Sequence, residues 1–75
     1  MNIHIEFCIQ WNYGPEFDRV SKDIKTLFPN TTIEGNKNLP RSGAFEITLN
    51  GELVYSKFQT NTFPTKEDIK TLLND

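Results

Sequence analysis

Alternation between apolar and polar residues in two segments of the chain restricts the fold more than any other feature. In residues 2–9 and 44–49 the apolar positions recur at every second residue: Ile3, Ile5, Phe7, Ile9, Phe45, Ile47 and Leu49. Successive side chains of a strand point to opposite faces of a sheet, so this pattern predicts two strands with one apolar face each. The polar residues between them predict that the other face of the sheet is uncovered.

Two further segments show apolar residues at helical spacing. Pro15 suits a first helical position and Pro29 stops a helix, so residues 15–28 are predicted to form an amphipathic helix. Thr65 is a predicted N-cap for a second helix over residues 65–73. The apolar stripes of the two helices are Phe17, Val20, Ile24, Leu27 and Phe28 in the first, and Ile69, Leu72 and Leu73 in the second.

The connections between these elements predict the topology. Asn50-Gly51 is the strongest two-residue hairpin signal, and it joins residues 44–49 to a further strand supplied by Leu53, Val54, Tyr55 and Phe58. With a short strand at 31–34, the order is β-α-β-β-β-α. The first crossover gives a parallel pair and the hairpin an antiparallel one, so the four-stranded sheet is mixed. One apolar stripe on each helix then predicts an α/β two-layer sandwich with both helices on one face.

The length of the chain allows one domain with one core. Its 75 residues are predicted to form a single domain over 1–75, and six phenylalanines supply large apolar surfaces to so short a chain. The predicted core consists of Ile3, Ile5, Phe7, Phe17, Val20, Ile24, Phe28, Ile33, Phe45, Ile47 and Leu73.

Charge and composition exclude several classes of function. The net charge is −2 and no run of basic residues occurs, which argues against a nucleic-acid partner. No apolar stretch approaches the roughly 20 residues that span a bilayer, and no signal-peptide pattern opens the chain, so we expect a cytoplasmic protein without a membrane partner. One cysteine and one histidine exclude an internal disulfide and argue against a metal site.

Cys8 is the one residue placed for redox chemistry. It lies where the first predicted strand ends, and sites in α/β proteins gather at the carboxyl ends of such strands. A free cysteine is also often a small buried hydrophobe, so the residues alone leave a reactive and an inert thiol open. His4 projects on the same face roughly 13 Å away along the strand, too far to act as a direct base.

Four segments of the chain, taken in order, resemble the selenoprotein W-related (Rdx) family. They are Phe7-Cys8-Ile9-Gln10-Trp11-Asn12-Tyr13, Leu27-Phe28-Pro29, Pro40-Arg41-Ser42-Gly43-Ala44-Phe45-Glu46-Ile47 and Gly51-Glu52-Leu53-Val54-Tyr55-Ser56-Lys57. The third is close to the family's P-x-x-G-x-F-E-V segment, and the fourth is similar to its G-x-L-I-x-S-K hairpin return. The resemblance runs from about residue 3 to the final helix. It implies a thioredoxin-like fold with the element order derived above, an accessible Cys8 and a thiol-dependent redox activity.

The chain departs from the family at one redox position. The family carries C-x-x-C or C-x-x-selenocysteine at this place, and the second position falls on Trp11. With no second thiol in the chain, an external thiol must resolve any mixed disulfide. The predicted function is therefore that of a monothiol redox protein, a thiol-disulfide oxidoreductase without a resolving cysteine, in which Cys8 is the catalytic residue and forms mixed disulfides with glutathione or a client protein. The alternative is a non-catalytic thioredoxin-like interaction module.

Trp11, Pro40 and Arg41 are the candidate substrate-binding residues around Cys8. The indole of Trp11 is either a platform for a partner's peptide or a cap on the core. Thioredoxin-like folds commonly hold a cis-proline at the place of Pro40, and both isomers are left open. Arg41, like Lys37, either binds a carboxylate of glutathione or is merely solvated. We expect no bound cofactor, with glutathione as a candidate co-substrate, and a monomer or weak dimer.

Overall fold

The computed structural model describes residues 1–73, so the last two residues of the predicted domain 1–75 lie outside the described part of the chain. The strands are β1 (Asn2–Phe7), β2 (Thr32–Gly35), β3 (Phe45–Leu49) and β4 (Glu52–Ser56). The helices are α1 (Gly14–Leu27), α2 (Lys57–Thr60) and α3 (Lys66–Leu73). The predicted element order is confirmed, and the short helix α2 between β4 and α3 is an addition to it. The prediction that Phe58 belongs to the last strand is wrong, because β4 ends at Ser56 and the chain turns into α2.

The four strands form a mixed sheet in the order β2-β1-β3-β4. β1 pairs with β2 in parallel and with β3 antiparallel, and β3 pairs antiparallel with β4. Asn50 and Gly51, in the turn between β3 and β4, have φ angles of 49° and 87°. Both are positive, as the predicted type I′ turn requires. The predicted four-stranded mixed sheet and thioredoxin-like α/β fold are confirmed.

The core lies between one face of the sheet and the helices α1 and α3. The buried core residues are Ile3, Ile5, Val20, Ile24, Phe45, Ile47, Tyr55, Ile69 and Leu73. Four residues of the predicted core are only half-buried: Phe7, Phe17, Phe28 and Ile33. They lie beside the four-residue edge strand β2 or at the ends of α1 and β1, where few elements of this short chain cover them.

The N-terminus of α3 is closed by a reciprocal pair of hydrogen bonds. The backbone N–H of Asp68 donates to Thr65 Oγ1 at 3.1 Å, and the N–H of Thr65 donates to Asp68 Oδ2 at 2.9 Å. The predicted N-cap at Thr65 is confirmed, with Asp68 in the role of the third-position acid. Among residues 1–73, no helix combines the length and apolar character needed to cross a membrane.

The second face of the sheet is covered over part of β3, so the prediction that this face is uncovered is wrong there. Glu46 lies on this face, yet it is 4% exposed. Its carboxylate accepts the hydroxyl of Ser56 at 2.6 Å and the backbone N–H of Lys57 at 3.0 Å. The loop between β2 and β3, residues 36–42, is called the strap here, and its Arg41 lies 3.6 Å from the same carboxylate. An alternating pattern identifies which face a residue occupies, but the segments that contact that face decide whether it is covered.

Candidate functional site

Backbone hydrogen bonds hold Cys8 between the sheet and the start of α1. Its N–H donates to the carbonyl of Ala44 at 2.9 Å, and its carbonyl accepts the N–H of Tyr13 at 3.0 Å. Between these anchors the chain turns sharply, with Asn12 in the left-handed region at φ 61° and its N–H bonded to the carbonyl of Ile9. Cys8 therefore lies in a rigid position at the carboxyl end of β1, as its place in the sequence predicts.

The sulfur of Cys8 is covered, which corrects the expectation of an accessible thiol. The residue is 2% exposed, and its Sγ accepts the backbone N–H of Trp11 at 3.4 Å. The tight turn after β1 folds the main chain of Trp11 back onto the sulfur. Spacing in the sequence places the thiol in a loop, but it does not reveal that the loop closes over its own first residue.

A shallow pocket lies directly beside Cys8. It has a volume of about 400 Å³, and its lining consists of Cys8, Ile9, Gln10, Leu39, Pro40 and Ser42. Ile9 and Leu39 are 65% and 96% exposed, so two large apolar side chains stand at its rim. Sequence reasoning missed the lining residues other than Cys8 and Pro40. The one signal for Leu39 is that it is an isolated apolar residue inside a polar loop.

Trp11 lies on the surface beside Cys8 rather than over the core. It is 58% exposed, and its ring contacts Tyr13 edge-to-face with 6.2 Å between the centroids. Gly43 lies under the indole at φ 75°, where an added Cβ would come within 3.1 Å of the ring. The glycine thus leaves room for the indole, and the interpretation of Trp11 as a cap on the core is wrong.

Pro40 lines the pocket with its preceding peptide bond trans. All peptide bonds described for residues 1–73 are trans, including Leu39–Pro40. Pro40 and Cys8 line the same pocket, and substrate binding by Pro40 stays a prediction. Within the described residues, the histidine, cysteine and carboxylate side chains form no group of three that could hold a metal ion.

Arg41 is paired with carboxylates of this chain, although its side chain stays 64% exposed. Its Nη2 and Nε donate to the carboxylate of Glu6 at 2.9 and 3.1 Å, and its backbone N–H donates to the same carboxylate at 2.7 Å. Its guanidinium also lies 5.2 Å from the ring centroid of Phe58. The sequence offers no signal for this pair, because Glu6 and Arg41 are 35 residues apart.

The pair shifts the titration of both partners. The hydrogen bond from Arg41 lowers the pKa of the Glu6 carboxyl, against an opposing effect of burial. The same hydrogen bond raises the pKa of Arg41 above its ordinary value. Lys37, the other cation of the strap, lies away from this pair, with its Nζ 3.5 Å from Glu34 and its backbone N–H 3.3 Å from His4 Nε2.

Replacing Glu6 by glutamine should lower the free energy of unfolding at neutral pH and change it little in acid. The pKa of Glu6 is lower in the folded state, so its carboxylate stabilises the fold above the unfolded-state pKa. This contribution is lost as the pH falls through the folded-state pKa. Urea unfolding of both proteins between about pH 3 and pH 7 measures the difference.

Glu34→Gln is the matched control for this experiment, because it removes one carboxylate from an exposed ion pair with Lys37. It separates the specific effect of Glu6 from the general effect of net charge. A Glu6→Gln destabilisation of constant size from pH 7 to pH 3 would contradict the assignment.

Sequence comparisons relate the chain to known proteins. A sequence model described as the Rdx family matches residues 2–75. Migration and invasion enhancer 1 of Bos taurus and that of Mus musculus are each 32% identical over 69 residues, which cover 92% of this chain and 58% of the relative. Selenoprotein W of Danio rerio is 31% identical over 58 residues, covering 76% of this chain and 67% of the relative. The chain thus spans less than two thirds of the length of the first two relatives.

Solved structures share the fold. The crystal structure of a selenoprotein W-related protein from Vibrio cholerae has a TM-score of 0.82 and 24% sequence identity, covering 99% of this chain and 92% of its own. A crystal structure from Bordetella parapertussis has a TM-score of 0.79 and 19% identity, covering 99% and 94%. Both likenesses extend over the sheet and helices described above.

Proposed function

Because this chain belongs to the Rdx family, we propose that it acts as a monothiol redox protein whose reactive group is Cys8. The family is thioredoxin-like and redox-associated. The observation that carries the proposal is the position of the single cysteine at the carboxyl end of β1, beside a pocket large enough for part of a thiol substrate. Glutathione or a client protein is the proposed partner, in the cytoplasm, with no bound cofactor.

The proposed reaction is a thiol–disulfide exchange at one sulfur. The Cys8 thiol loses its proton to solvent, and the thiolate attacks one sulfur of glutathione disulfide. A bond forms between Cys8 Sγ and that sulfur while the disulfide bond of the reagent breaks, and the released glutathione thiolate takes a proton from solvent. An external thiolate then attacks the glutathione sulfur of the mixed disulfide, which frees Cys8 as its thiolate and leaves the attacking thiol joined to glutathione in a new disulfide.

Access to the sulfur requires local movement. Cys8 is 2% exposed, so attack on a disulfide needs the turn at residues 9–12 or the strap to open. Resolution must come from outside the chain, since Trp11 offers no sulfur at the C-x-x-C position. The proposed reaction is therefore slower than that of an open thiol, and it stops at the mixed disulfide when no further thiol is supplied.

Folded protein treated with glutathione disulfide should gain one glutathione, as measured by intact mass. The Cys8→Ser variant is the matched control and should gain none, because it differs from the parent by the one sulfur. The same treatment in concentrated urea measures how much glutathione the unfolded chain gains. A parent that stays unmodified when folded but reacts when unfolded would overturn the redox proposal.

A second function is favoured by the exposed apolar residues around the pocket. Ile9, Trp11 and Leu39 are 65%, 58% and 96% exposed and surround a covered thiol. Clustered exposed apolar side chains are typical of surfaces that bind other proteins. In this alternative the chain is a non-catalytic thioredoxin-like interaction module, and an unreactive Cys8 in the folded protein is the result that would select it.

A further inference from the structure

The strap is tied to β1 near both of its ends. At its start, the side chain of Asn36 accepts the N–H of Phe7 and donates to the carbonyl of Phe7, both at 2.9 Å. The amide of Asn36 thus continues the hydrogen-bond pattern of β1 where strand β2 has ended. At the other end, Arg41 binds the carboxylate of Glu6 through its side chain and its backbone N–H. The segment between the two ties is a short bridge over the end of β1.

This bridge carries two of the residues that line the pocket at Cys8. Leu39 and Pro40 come immediately before Arg41 in the chain, and both lie against the pocket. Glu6 lies in β1, two residues before Cys8, and Cys8 directly follows the end of that strand. The Glu6–Arg41 pair therefore joins the pocket's wall to the strand that ends at the thiol.

The two ties differ in how easily they release. Asn36 is bound to the main chain of β1 by three hydrogen bonds, two from its side chain to Phe7 and one from its N–H to the carbonyl of Ile5, so its release exposes backbone polar groups. The side chain of Arg41 is 64% exposed and that of Glu6 is 21% exposed, so water can replace their contacts. Exposed ion pairs contribute little to stability, which makes this tie the one that opens without unfolding the sheet.

We propose that the Glu6–Arg41 pair is a latch that holds the strap against Cys8 and limits the rate at which reactants reach the sulfur. Arg41 is in this view a positioning residue rather than a ligand for a substrate carboxylate. The contact of its guanidinium with Phe58 and its distance of 3.6 Å from Glu46 keep it on the face of the sheet when the latch is closed. This inference rests on the proposed function in one respect, namely which reactant reaches Cys8.

Arg41→Gln should raise the rate constant for alkylation of Cys8 by iodoacetamide in the folded protein about three- to tenfold. Iodoacetamide is small and needs no redox partner, so it reports access alone. The increase should be nearly independent of urea at low concentration, because a local opening exposes little surface. If Arg41 only stabilised the fold as a whole, the alkylation rate constant of the variant would instead rise with urea as steeply as the equilibrium constant for global unfolding.

Two further variants separate the latch from other effects. Glu6→Gln removes the same pair from the strand side and should give a similar increase, which keeps the test available if Arg41→Gln does not fold. The double variant should be alkylated at about the same rate as either single variant, since both substitutions remove the same ion pair between the two side chains. Lys37→Gln is the matched control, because it removes a cation from the strap without touching Glu6. Its alkylation rate should stay within about twofold of the parent's.

The latch is wrong if Arg41→Gln leaves the alkylation rate unchanged, if Lys37→Gln raises it equally, or if the increase follows the loss of global stability. These results are distinct from failure of the redox proposal. If Arg41→Gln is alkylated faster but gains no glutathione from glutathione disulfide, the latch stands and the proposed redox function does not.

Discussion

Replacing Phe45 by alanine should lower the free energy of unfolding by about 3–5 kcal/mol. Phe45 is 0% exposed, lies opposite Phe7 in the β1–β3 pair and meets Phe63 edge-to-face at 5.3 Å. Truncation removes apolar contacts from the centre of the core and leaves a cavity there. Domains are stable by about 5–15 kcal/mol, so this loss is a large part of the total. Urea unfolding followed by circular dichroism measures it.

Phe58→Ala provides the matched control, because it removes the same atoms from a residue that is 48% exposed. Its main specific contact is with the guanidinium of Arg41, which is worth about 0.5–1 kcal/mol at exposed sites. The loss should therefore be clearly smaller than for Phe45. Equal losses for the two variants would show that the core is not centred on Phe45.

Replacing Trp11 by cysteine should change the product of oxidation from a glutathione adduct to an internal disulfide. The backbone nitrogen at position 11 is 3.4 Å from Cys8 Sγ, so the adjoining Cα and Cβ lie close to that sulfur. A disulfide requires Cβ atoms about 3.5–4.5 Å apart, which the C-x-x-C spacing in this turn favours. The introduced thiolate would attack Cys8 Sγ in the mixed disulfide and expel glutathione as its thiolate.

Intact mass after treatment with glutathione disulfide distinguishes the two products. The parent should gain one glutathione, whereas Trp11→Cys should lose two hydrogens. Trp11→Ser is the control, since it removes the indole without adding a sulfur and should keep the adduct. Because Trp11 is 58% exposed, we expect both variants to fold. A stable glutathione adduct on the folded cysteine variant would show that the turn holds the two positions apart.

The sequence by itself determined the four strands, the two amphipathic helices and their order, though not the short helix α2, because these elements depend on short-range patterns. Alternation in residues 2–9 and 44–49 follows directly from the period of a strand, and the Asn50-Gly51 turn from the backbone freedom of those two residues. The apolar stripe of α1 likewise follows from the helical period. The position of Cys8 at the end of β1 was predictable for the same reason, whereas that of Pro40 near it followed only from the resemblance to thioredoxin-like proteins.

The tertiary structure alone decided how open the site is and what its charged residues do. Cys8 is covered, with the main chain of Trp11 turned back onto its sulfur and Pro40 of the strap beside it, and Arg41 is held by Glu6, 35 residues away. Glu46 is buried on a face that its pattern marks as polar, because Ser56, Lys57 and Arg41 contact its carboxylate. Periodicity reports which side of an element a residue occupies. Burial and ion pairing depend on which distant segment lies against that side, and no local pattern in the sequence encodes that contact.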